Sequence, residues 1–145
     1  MKQAIFTGSG VALVTPFTSG GVDYHALEKL LDFQLDHGTD AVIVCGTTGE
    51  AATMSYAERM AVIEAVVRRV DGRVPVIAGS GANCTETAIA LSRDAVSAGA
   101  DGLLVVTPFY NKATQRGLVR HYTAVADAAE KPVILYNVPS RTGVK

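Results

Sequence analysis

The chain has 145 residues, which is the size of a single domain. Its 13 lysines and arginines against 14 aspartates and glutamates give a net charge of −1, which argues against a protein that binds nucleic acid or a membrane surface. Hydrophobic residues make up 48% of the sequence, which is enough to build a core and excludes a disordered chain. No uninterrupted apolar run approaches the ~18 residues of a membrane span.

Cysteine usage and the amino-terminal sequence bear on the compartment. Cys45 and Cys84 lie outside any CxxC motif, so we expect neither a disulfide framework nor a structural zinc site. No cluster of His, Asp and Glu stands at the predicted strand ends, and we therefore expect no metal and no organic cofactor. The first ten residues are too broken in hydrophobicity for a signal peptide, so we expect a cytoplasmic location.

The apolar pattern predicts strands alternating with helices. The predicted strands cover residues 10–15, 41–45, 74–78, 103–107 and 133–136. The predicted helices run from Asp23 to Gly38, from a Ser55–Glu58 capping box to Gly72, from Asn83 to Gly99, and around residues 118–129. Residues 16–21 are predicted to form a turn.

The composition and spacing of the strands define the class of sheet. Each strand is a continuous Val, Ile and Leu run without alternation, which is typical of a parallel sheet covered on both faces. The successive strand ends lie at Gly46, Gly79, Thr107 and Tyr136. They are 33, 28 and 29 residues apart, which is the length of one βα unit. The sequence therefore predicts an α/β fold with a parallel sheet.

Polar residues at the strand ends favour a barrel over a doubly wound sheet. No GxGxxG follows the first strand and no GxxxxGK[ST] occurs, so a nucleotide cradle is missing. The polar residues just past the strands are Thr15, Thr47, Thr48, Ser80, Thr107, Tyr110, Tyr136 and Asn137. Polar groups converging from successive strand ends are typical of the carboxyl face of an α/β barrel, whereas a doubly wound sheet collects them at one switch point.

The segment GTTGE at 46–50 is the first candidate site. Gly46 and Gly49 allow the backbone to turn tightly and to approach a small ligand closely. The hydroxyls of Thr47 and Thr48, with the exposed amides around them, could hold a carboxylate. The alternative is an ordinary glycine-rich turn in which the threonines cap backbone amides.

Three further residues are candidates. Tyr110 follows the fourth strand and could relay protons, although a tyrosine at a loop start is more often a packing residue. Tyr136 closes the fifth strand, so its hydroxyl is expected to point into the mouth of the fold. Arg141 offers a planar fork suited to a substrate carboxylate, the alternative being a solvated loop arginine.

Five segments follow one another as in a known family. They are GVALVTPF at 10–17, GTTGE at 46–50, AGSGAN at 78–83, TPFYN at 107–111 and YNVPSRTG at 136–143. With these motifs the chain resembles the dihydrodipicolinate synthase (4-hydroxy-tetrahydrodipicolinate synthase) family, within the pyruvate-dependent class I aldolases that include N-acetylneuraminate lyase. The resemblance implies a (β/α)8 TIM barrel, of which this chain supplies about the first five βα units. Arg141 favours the synthases, because the neuraminate lyases lack an arginine there.

The resemblance also implies a reaction, which belongs to lysine (diaminopimelate) biosynthesis. In the family, pyruvate condenses with a lysine amine to a Schiff base, whose enamine attacks aspartate-4-semialdehyde. By motif match, Thr48 and neighbouring amides hold the pyruvate carboxylate, and Arg141 meets the carboxylate of the aldehyde. Tyr136, Thr47 and Tyr110 are implied to form a hydroxyl relay for protons. Tyr110 of such enzymes reaches into a neighbouring subunit, which implies a homodimer or homotetramer.

The nucleophilic lysine that the resemblance implies has no counterpart here. In the family it stands at the end of the sixth strand, well beyond YNVPSRTG. The lysines of this chain are Lys2, Lys29, Lys112, Lys131 and Lys145. None is expected to have the strand-end burial that lowers the pKa of an amine and makes it nucleophilic, and Lys145 is expected to be solvated.

The length conflicts with a closed barrel. Eight βα units take ~250 residues, so five cannot close the sheet. We therefore expect residues 1–145 to form a partial TIM-barrel domain, strands one to five, whose C-terminal remainder is absent and whose edge strands are open. The alternatives left open are a catalytically inactive truncated or engineered barrel fragment, and another pyruvate lyase such as N-acetylneuraminate lyase.

Overall fold

A computed structural model describes residues 4–144 of the chain. Its strands are β1 (Gly10–Ala12), β2 (Phe17–Thr18), β3 (Gly21–Val22), β4 (Ala41–Val44), β5 (Val76–Gly79), β6 (Gly102–Val106) and β7 (Val133–Tyr136). Its α-helices are α1 (Tyr24–Asp36), α2 (Tyr56–Val70), α3 (Thr85–Ser97), α4 (Gln115–Ala129) and α5 (Pro139–Thr142), and a 3₁₀ helix spans Ala51–Thr53. All the strands and helices predicted from the sequence are present, with bounds that differ by a few residues.

The main sheet has five parallel strands in the order β1-β4-β5-β6-β7, and a helix lies between each strand and the next. The strands follow chain order without a reversal. A doubly wound sheet reverses its order at a switch point, whereas a β/α barrel adds its strands one after another. The topology therefore confirms the barrel prediction, and all five carboxyl ends lie at one edge.

The central strands are buried and β7 is not. Val42 and Leu103 are completely inaccessible to solvent, and the Val62, Ile63 and Val66 face of α2 belongs to the same core. By contrast, the Leu135 side chain is 58% exposed. Strand β7 stands at the edge of the sheet within residues 4–144, so fewer neighbours fix its position.

Helix starts follow the predicted caps. The Asp23 carboxylate accepts a 2.9 Å hydrogen bond from the Ala26 amide at the start of α1. At the start of α2, the Glu58 amide donates to the Ser55 hydroxyl, and the Ser55 amide donates to the Glu58 carboxylate. These bonds satisfy amides that have no partner within the helix, which confirms the capping box.

Three short elements lie where the sequence indicated turns or loops. Strands β2 and β3 pair antiparallel across the predicted turn at 16–21. The 3₁₀ helix follows GTTGE directly, and α5 lies inside YNVPSRTG with Pro139 in its first turn, where the fixed φ of proline suits a helix. Each is too short to show a hydrophobic period. Among the residues described, no helix is both long and apolar enough to cross a membrane.

Candidate active site

A cavity of about 430 Å³ opens at the carboxyl edge of the main sheet. Residues within or just after β4, β5, β6 and β7 line it: Cys45, Gly46, Thr47, Gly79, Gly81, Leu104, Val106 and Tyr136. The helices and loops add Ala51, Ala52, Arg59, Ala82, Thr87, Leu91, Phe109, Val138, Arg141 and Thr142. The parallel sheet thus brings residues from four βα units together at the edge where the sequence predicted a polar mouth.

Tyr136, the last residue of β7, lines this cavity and is half-buried. Its main-chain carbonyl accepts two hydrogen bonds from Thr107, one from the amide at 2.9 Å and one from the hydroxyl at 3.2 Å. Thr107 is itself buried at the end of β6. The main chain that carries the Tyr136 phenol is therefore held to the neighbouring strand at the cavity edge.

The GTTGE turn brings Thr47 to the cavity. Its shape depends on Gly49, because a Cβ there would lie 3.1 Å from the Leu13 carbonyl oxygen and 3.3 Å from the Cys45 amide nitrogen. The Thr15 hydroxyl donates a 2.7 Å hydrogen bond to the Gly49 carbonyl and fixes the turn against the end of β1. Gly49 thus allows close packing of the turn against the ends of β1 and β4, and the expected approach of a small ligand stays a prediction.

Thr48 and Tyr110 lie outside the cavity lining. Thr48 is exposed in the same turn as Thr47. Tyr110 is 89% exposed and has a φ of +71°, the left-handed conformation, in the loop after β6. That loop is tied to the end of β5 by a 2.9 Å hydrogen bond from the Asn111 amide group to the Asn83 carbonyl. Tyr110 is thus presented to solvent rather than folded back onto its own chain.

Arg141 reaches the cavity from α5, the four-residue helix within YNVPSRTG. The helix is closed by Gly143, whose φ of +70° is the left-handed conformation typical of a helix C-terminus. This local turn places the Arg141 side chain on the same cavity as Tyr136, five residues earlier. The structure therefore gathers Thr47, Tyr136 and Arg141 of the five predicted site residues.

Arg59 is a cavity residue that the predicted site did not include. Its guanidinium donates a 2.9 Å hydrogen bond to the Gly79 carbonyl, and its Nε is buried without a hydrogen-bond partner among the described residues. Burial lowers the pKa of the Arg59 guanidinium. Burial also raises the pKa of the Cys45 thiol to about 11, and the Arg59 charge only partly opposes that rise.

The sequence held a signal for Arg59. It stands three, four and seven residues before Val62, Ile63 and Val66, which form the buried stripe of α2. A charged residue at that spacing is placed on the inward face of a helix. A buried charge needs polar partners, which points to a special environment at that position.

The charges around the cavity have one sign. Its ionisable lining residues with a charge at neutral pH are Arg59 and Arg141, and no carboxylate is among the lining residues described. Such a site favours anions, and the planar fork of arginine suits carboxylates. Residues 4–144 contain no group of three or more His, Cys, Asp and Glu side chains that could hold a metal ion. The arrangement is suited to binding a carboxylate next to a phenol that can transfer a proton.

Comparison with known proteins assigns the family. Residues 5–145 match the dihydrodipicolinate synthetase family. The chain belongs to this family. It is 59% identical over 140 residues to the 4-hydroxy-tetrahydrodipicolinate synthase of Alkaliphilus oremlandii, an alignment that covers 97% of this chain and 48% of the relative.

Solved members of the dihydrodipicolinate synthetase family share the fold. The dihydrodipicolinate synthase of Aquifex aeolicus matches with a TM-score of 0.94 and 54% identity over 97% of this chain and 48% of that one. The chloride-inhibited dihydrodipicolinate synthase of Acinetobacter baumannii, solved in complex with pyruvate, matches with a TM-score of 0.93 and 52% identity over 95% and 48%. The chain therefore spans about half the length of these relatives and corresponds to the N-terminal half of the family's TIM barrel.

The three lysines among the described residues stand away from the cavity. Lys29 lies in α1, Lys112 is exposed in the loop after β6, and Lys131 precedes β7 at the opposite end of the strand from Tyr136. None of these three lines the cavity. Lys2 and Lys145 lie outside the described residues, so the expectation that Lys145 is solvated stays a prediction.

Proposed function

We propose that this chain is the substrate-binding and proton-transfer part of a 4-hydroxy-tetrahydrodipicolinate synthase, a lyase of the aldolase type. The reaction joins pyruvate to aspartate-4-semialdehyde through a Schiff base. The observation that carries the proposal is the cavity at the strand ends, which brings Thr47, Tyr136 and Arg141 together and whose charged lining residues, among those described, are arginines. The pyruvate complex of the Acinetobacter baumannii relative supports the choice of pyruvate.

The proposed roles combine the positions of Thr47, Tyr136 and Arg141 at the cavity with the motif match, which alone supports the role of Thr48. The carboxylate of pyruvate is bound by the Thr48 hydroxyl and by the amides of the GTTGE turn. Tyr136 donates and accepts protons at the edge of the cavity, and Thr47, which lines the same cavity, passes them on. Arg141 binds the carboxylate of the aldehyde substrate through its planar fork.

Tyr110 is proposed to complete the relay in the site of a second copy of this chain. Its 89% exposure and left-handed backbone hold the side chain away from its own cavity. The active form is accordingly proposed to be a homodimer or homotetramer. The two free cysteines suit a reducing compartment, and we place the protein in the cytoplasm.

Residues 1–145 are proposed to act as a partial TIM-barrel domain. The nucleophilic lysine and the strands that close the barrel are assigned to the part of the relatives that this chain does not match. A second candidate, a fragment without activity, is favoured by the position of Lys29, Lys112 and Lys131 outside the cavity. Another pyruvate lyase, such as N-acetylneuraminate lyase, is a weaker candidate because Arg141 faces the cavity.

Trapping the Schiff base separates these candidates. Pyruvate and borohydride are added, and mass spectrometry locates any reduced pyruvate adduct on a lysine. We expect no adduct on the 145-residue chain and an adduct on a longer polypeptide that adds the remaining strands. Consumption of aspartate-4-semialdehyde by that polypeptide would support the synthase. An adduct within residues 1–145 would overturn the assignment of the nucleophile, and no adduct in either polypeptide would overturn the proposed reaction.

A further inference from the structure

A line of hydrogen bonds runs from helix α4 to the main chain of Tyr136. The Tyr122 hydroxyl donates to the Thr107 Oγ1 over 3.0 Å, and the Thr107 hydroxyl donates to the Tyr136 carbonyl over 3.2 Å. The direction of both bonds is determined by chemistry. A carbonyl oxygen only accepts, so the single proton of the Thr107 hydroxyl goes to Tyr136, and Tyr122 must be the donor to Thr107.

The two hydrogen bonds lie in largely buried surroundings, which strengthen them. Thr107 is only 4% exposed, and in a dry environment a hydrogen bond is electrostatically stronger than it is in water. Tyr122 is half-buried and packs against the hydrophobic core, so its ring is already held in place. The His121 ring meets the Tyr122 ring edge-on, with centroids 5.4 Å apart, and further limits its movement.

The line ends at the last residue of β7. Strand β7 is at an edge of the described sheet, and its Leu135 side chain is 58% exposed. Tyr136 pairs with Val106 of β6 in the register of the parallel sheet. The Thr107 amide holds the Tyr136 carbonyl to the neighbouring strand through the sheet bond at 2.9 Å, and the Thr107 hydroxyl, oriented by Tyr122, adds a second contact to the same oxygen.

We propose that Tyr122 is a positioning residue for proton transfer by Tyr136, an inference that rests on the proposed function. Tyr122 does not line the cavity. It acts through Thr107 on the main chain of Tyr136 and so sets where the phenol enters the cavity. Proton transfer depends steeply on this placement, because a misplacement of about 1 Å can cost ~10²-fold in rate.

The test uses a polypeptide in which these residues are joined to the remaining barrel strands, assayed with pyruvate and aspartate-4-semialdehyde. Tyr122→Phe removes the donor and keeps the ring. We expect kcat to fall about 3- to 10-fold, well below the ~10²-fold of a full 1 Å misplacement, while the KM for pyruvate stays within about twofold. Tyr56→Phe is the matched control, because it removes a 2.6 Å tyrosine hydrogen bond to Asp94 between α2 and α3, away from Tyr136. It should leave kcat unchanged.

A double-substitution cycle tests the route through Thr107. Thr107→Val removes the hydroxyl and should lower kcat at least as much as Tyr122→Phe, whereas Thr107→Ser should retain most of it. With Thr107→Val in place, Tyr122→Phe should have no further effect on kcat. An equal loss in both backgrounds, or a loss matched by Tyr56→Phe, would overturn the positioning role. Absence of pyruvate-dependent turnover before any substitution would instead overturn the proposed function, and with it this inference.

Discussion

The guanidinium of Arg59 donates a 2.9 Å hydrogen bond to the carbonyl oxygen of Gly79 and so joins helix α2 to the end of strand β5. The Arg59 carbonyl in turn accepts a 3.8 Å hydrogen bond from the Cys45 thiol, just past β4. One residue of α2 therefore contacts the ends of two neighbouring strands. Since both ends line the cavity, the shape of the site depends on how closely these two strand ends approach each other.

Gly79 is expected to tolerate no side chain. A Cβ at this position would lie 2.1 Å from the Cys45 carbonyl oxygen, which is main chain and cannot rotate away. We expect Gly79→Ala to lower the free energy of unfolding by about 3 kcal/mol, at the upper end of overpacking costs. Gly46→Ala is the control, because its Cβ would meet nothing closer than 3.9 Å. Urea unfolding of both variants measures the difference, and equal midpoints would contradict the close approach of the two strand ends.

The two cysteines should react at different rates with a thiol-alkylating reagent. Cys45 is buried, and burial raises the pKa of its thiol to about 11. Cys84 is exposed, and hydrogen bonds from Thr87 and from the Glu86 amide lower the pKa of its thiol. Because the thiolate is the nucleophile, iodoacetamide at pH 8 should modify Cys84 first.

Peptide mass spectrometry over time follows the modification of both cysteines, and Cys84→Ser is the control that leaves only the slowly reacting Cys45. Equal rates at both sites would contradict the burial of Cys45.

The capping box of α2 should give a pH-dependent contribution to stability. Hydrogen bonds from the Ser55 amide and hydroxyl lower the pKa of the Glu58 carboxyl. A carboxyl with a lowered folded-state pKa stabilises the fold above its unfolded pKa, near 4.5, and this contribution is lost as the pH falls through the folded-state pKa. Ser55→Ala should cost about 1 kcal/mol at pH 7 and less at pH 3.5.

Helix α4 offers the matched control for this substitution. Thr114 caps α4 by accepting a 3.2 Å hydrogen bond from the Gly117 amide, and no acidic residue stands in the first turn of that helix. Thr114→Ala should therefore cost a similar ~1 kcal/mol at both pH values. Thermal or urea unfolding at pH 7 and 3.5 gives the loss of unfolding free energy for each of the two variants at each pH. The same pH dependence for both variants would exclude Glu58 as the cause.

Arg141 should affect the second substrate and leave the first one unaffected. In a polypeptide with the remaining barrel strands, Arg141→Ala should raise the KM for aspartate-4-semialdehyde about 10- to 100-fold, which is the cost of a lost charge-assisted hydrogen bond. The yield of the borohydride-trapped pyruvate adduct should be unchanged. Arg116→Ala, an exposed position on α4 outside the cavity, is the charge-matched control. A loss of adduct with Arg141→Ala would assign this arginine to pyruvate instead.

Local signals in the sequence were enough to predict the helix starts and the five strands of the main sheet. The Ser55–Glu58 box and the Asp23 cap depend on bonds within four residues, so their pattern identifies a helix start without any knowledge of the rest of the chain. Continuous apolar runs between turn residues likewise located the five sheet strands. The β2–β3 hairpin was missed, because each of its strands has only two residues and no period can be recognised in so short a segment.

The candidate site could be predicted only in part. Thr47 and Tyr136 could be named because strand ends of a parallel sheet share one edge, which is a property of the topology, and Arg141 could be named because its planar fork suits a carboxylate. The role of Arg59 as the bond between α2 and Gly79 depends on how the helix packs on the sheet, and its spacing in α2 indicated burial without indicating the partner. The Tyr122–Thr107 bond joins residues of α4 and β6 and exists only in the folded chain.

His121 should destabilise the fold as the pH falls below neutrality. Its side chain is 6% exposed, its Nδ1 is 2.9 Å from the Thr85 hydroxyl, and its Nε2 is buried without a hydrogen-bond partner among residues 4–144. Burial lowers the pKa of the imidazole in the fold. Its unfolded pKa is near 6.5, so the stabilising contribution is complete above that pH and is lost as the pH falls through the folded-state value.

Unfolding at pH 7.5 and 5.5 should show this loss, and His121→Gln should reduce it. The exposed His25→Gln is the control and should retain the pH dependence of the unsubstituted chain. If His25→Gln reduced the loss as much as His121→Gln, buried His121 would not be its source, because only a group whose pKa differs between the folded and unfolded states can make stability depend on pH.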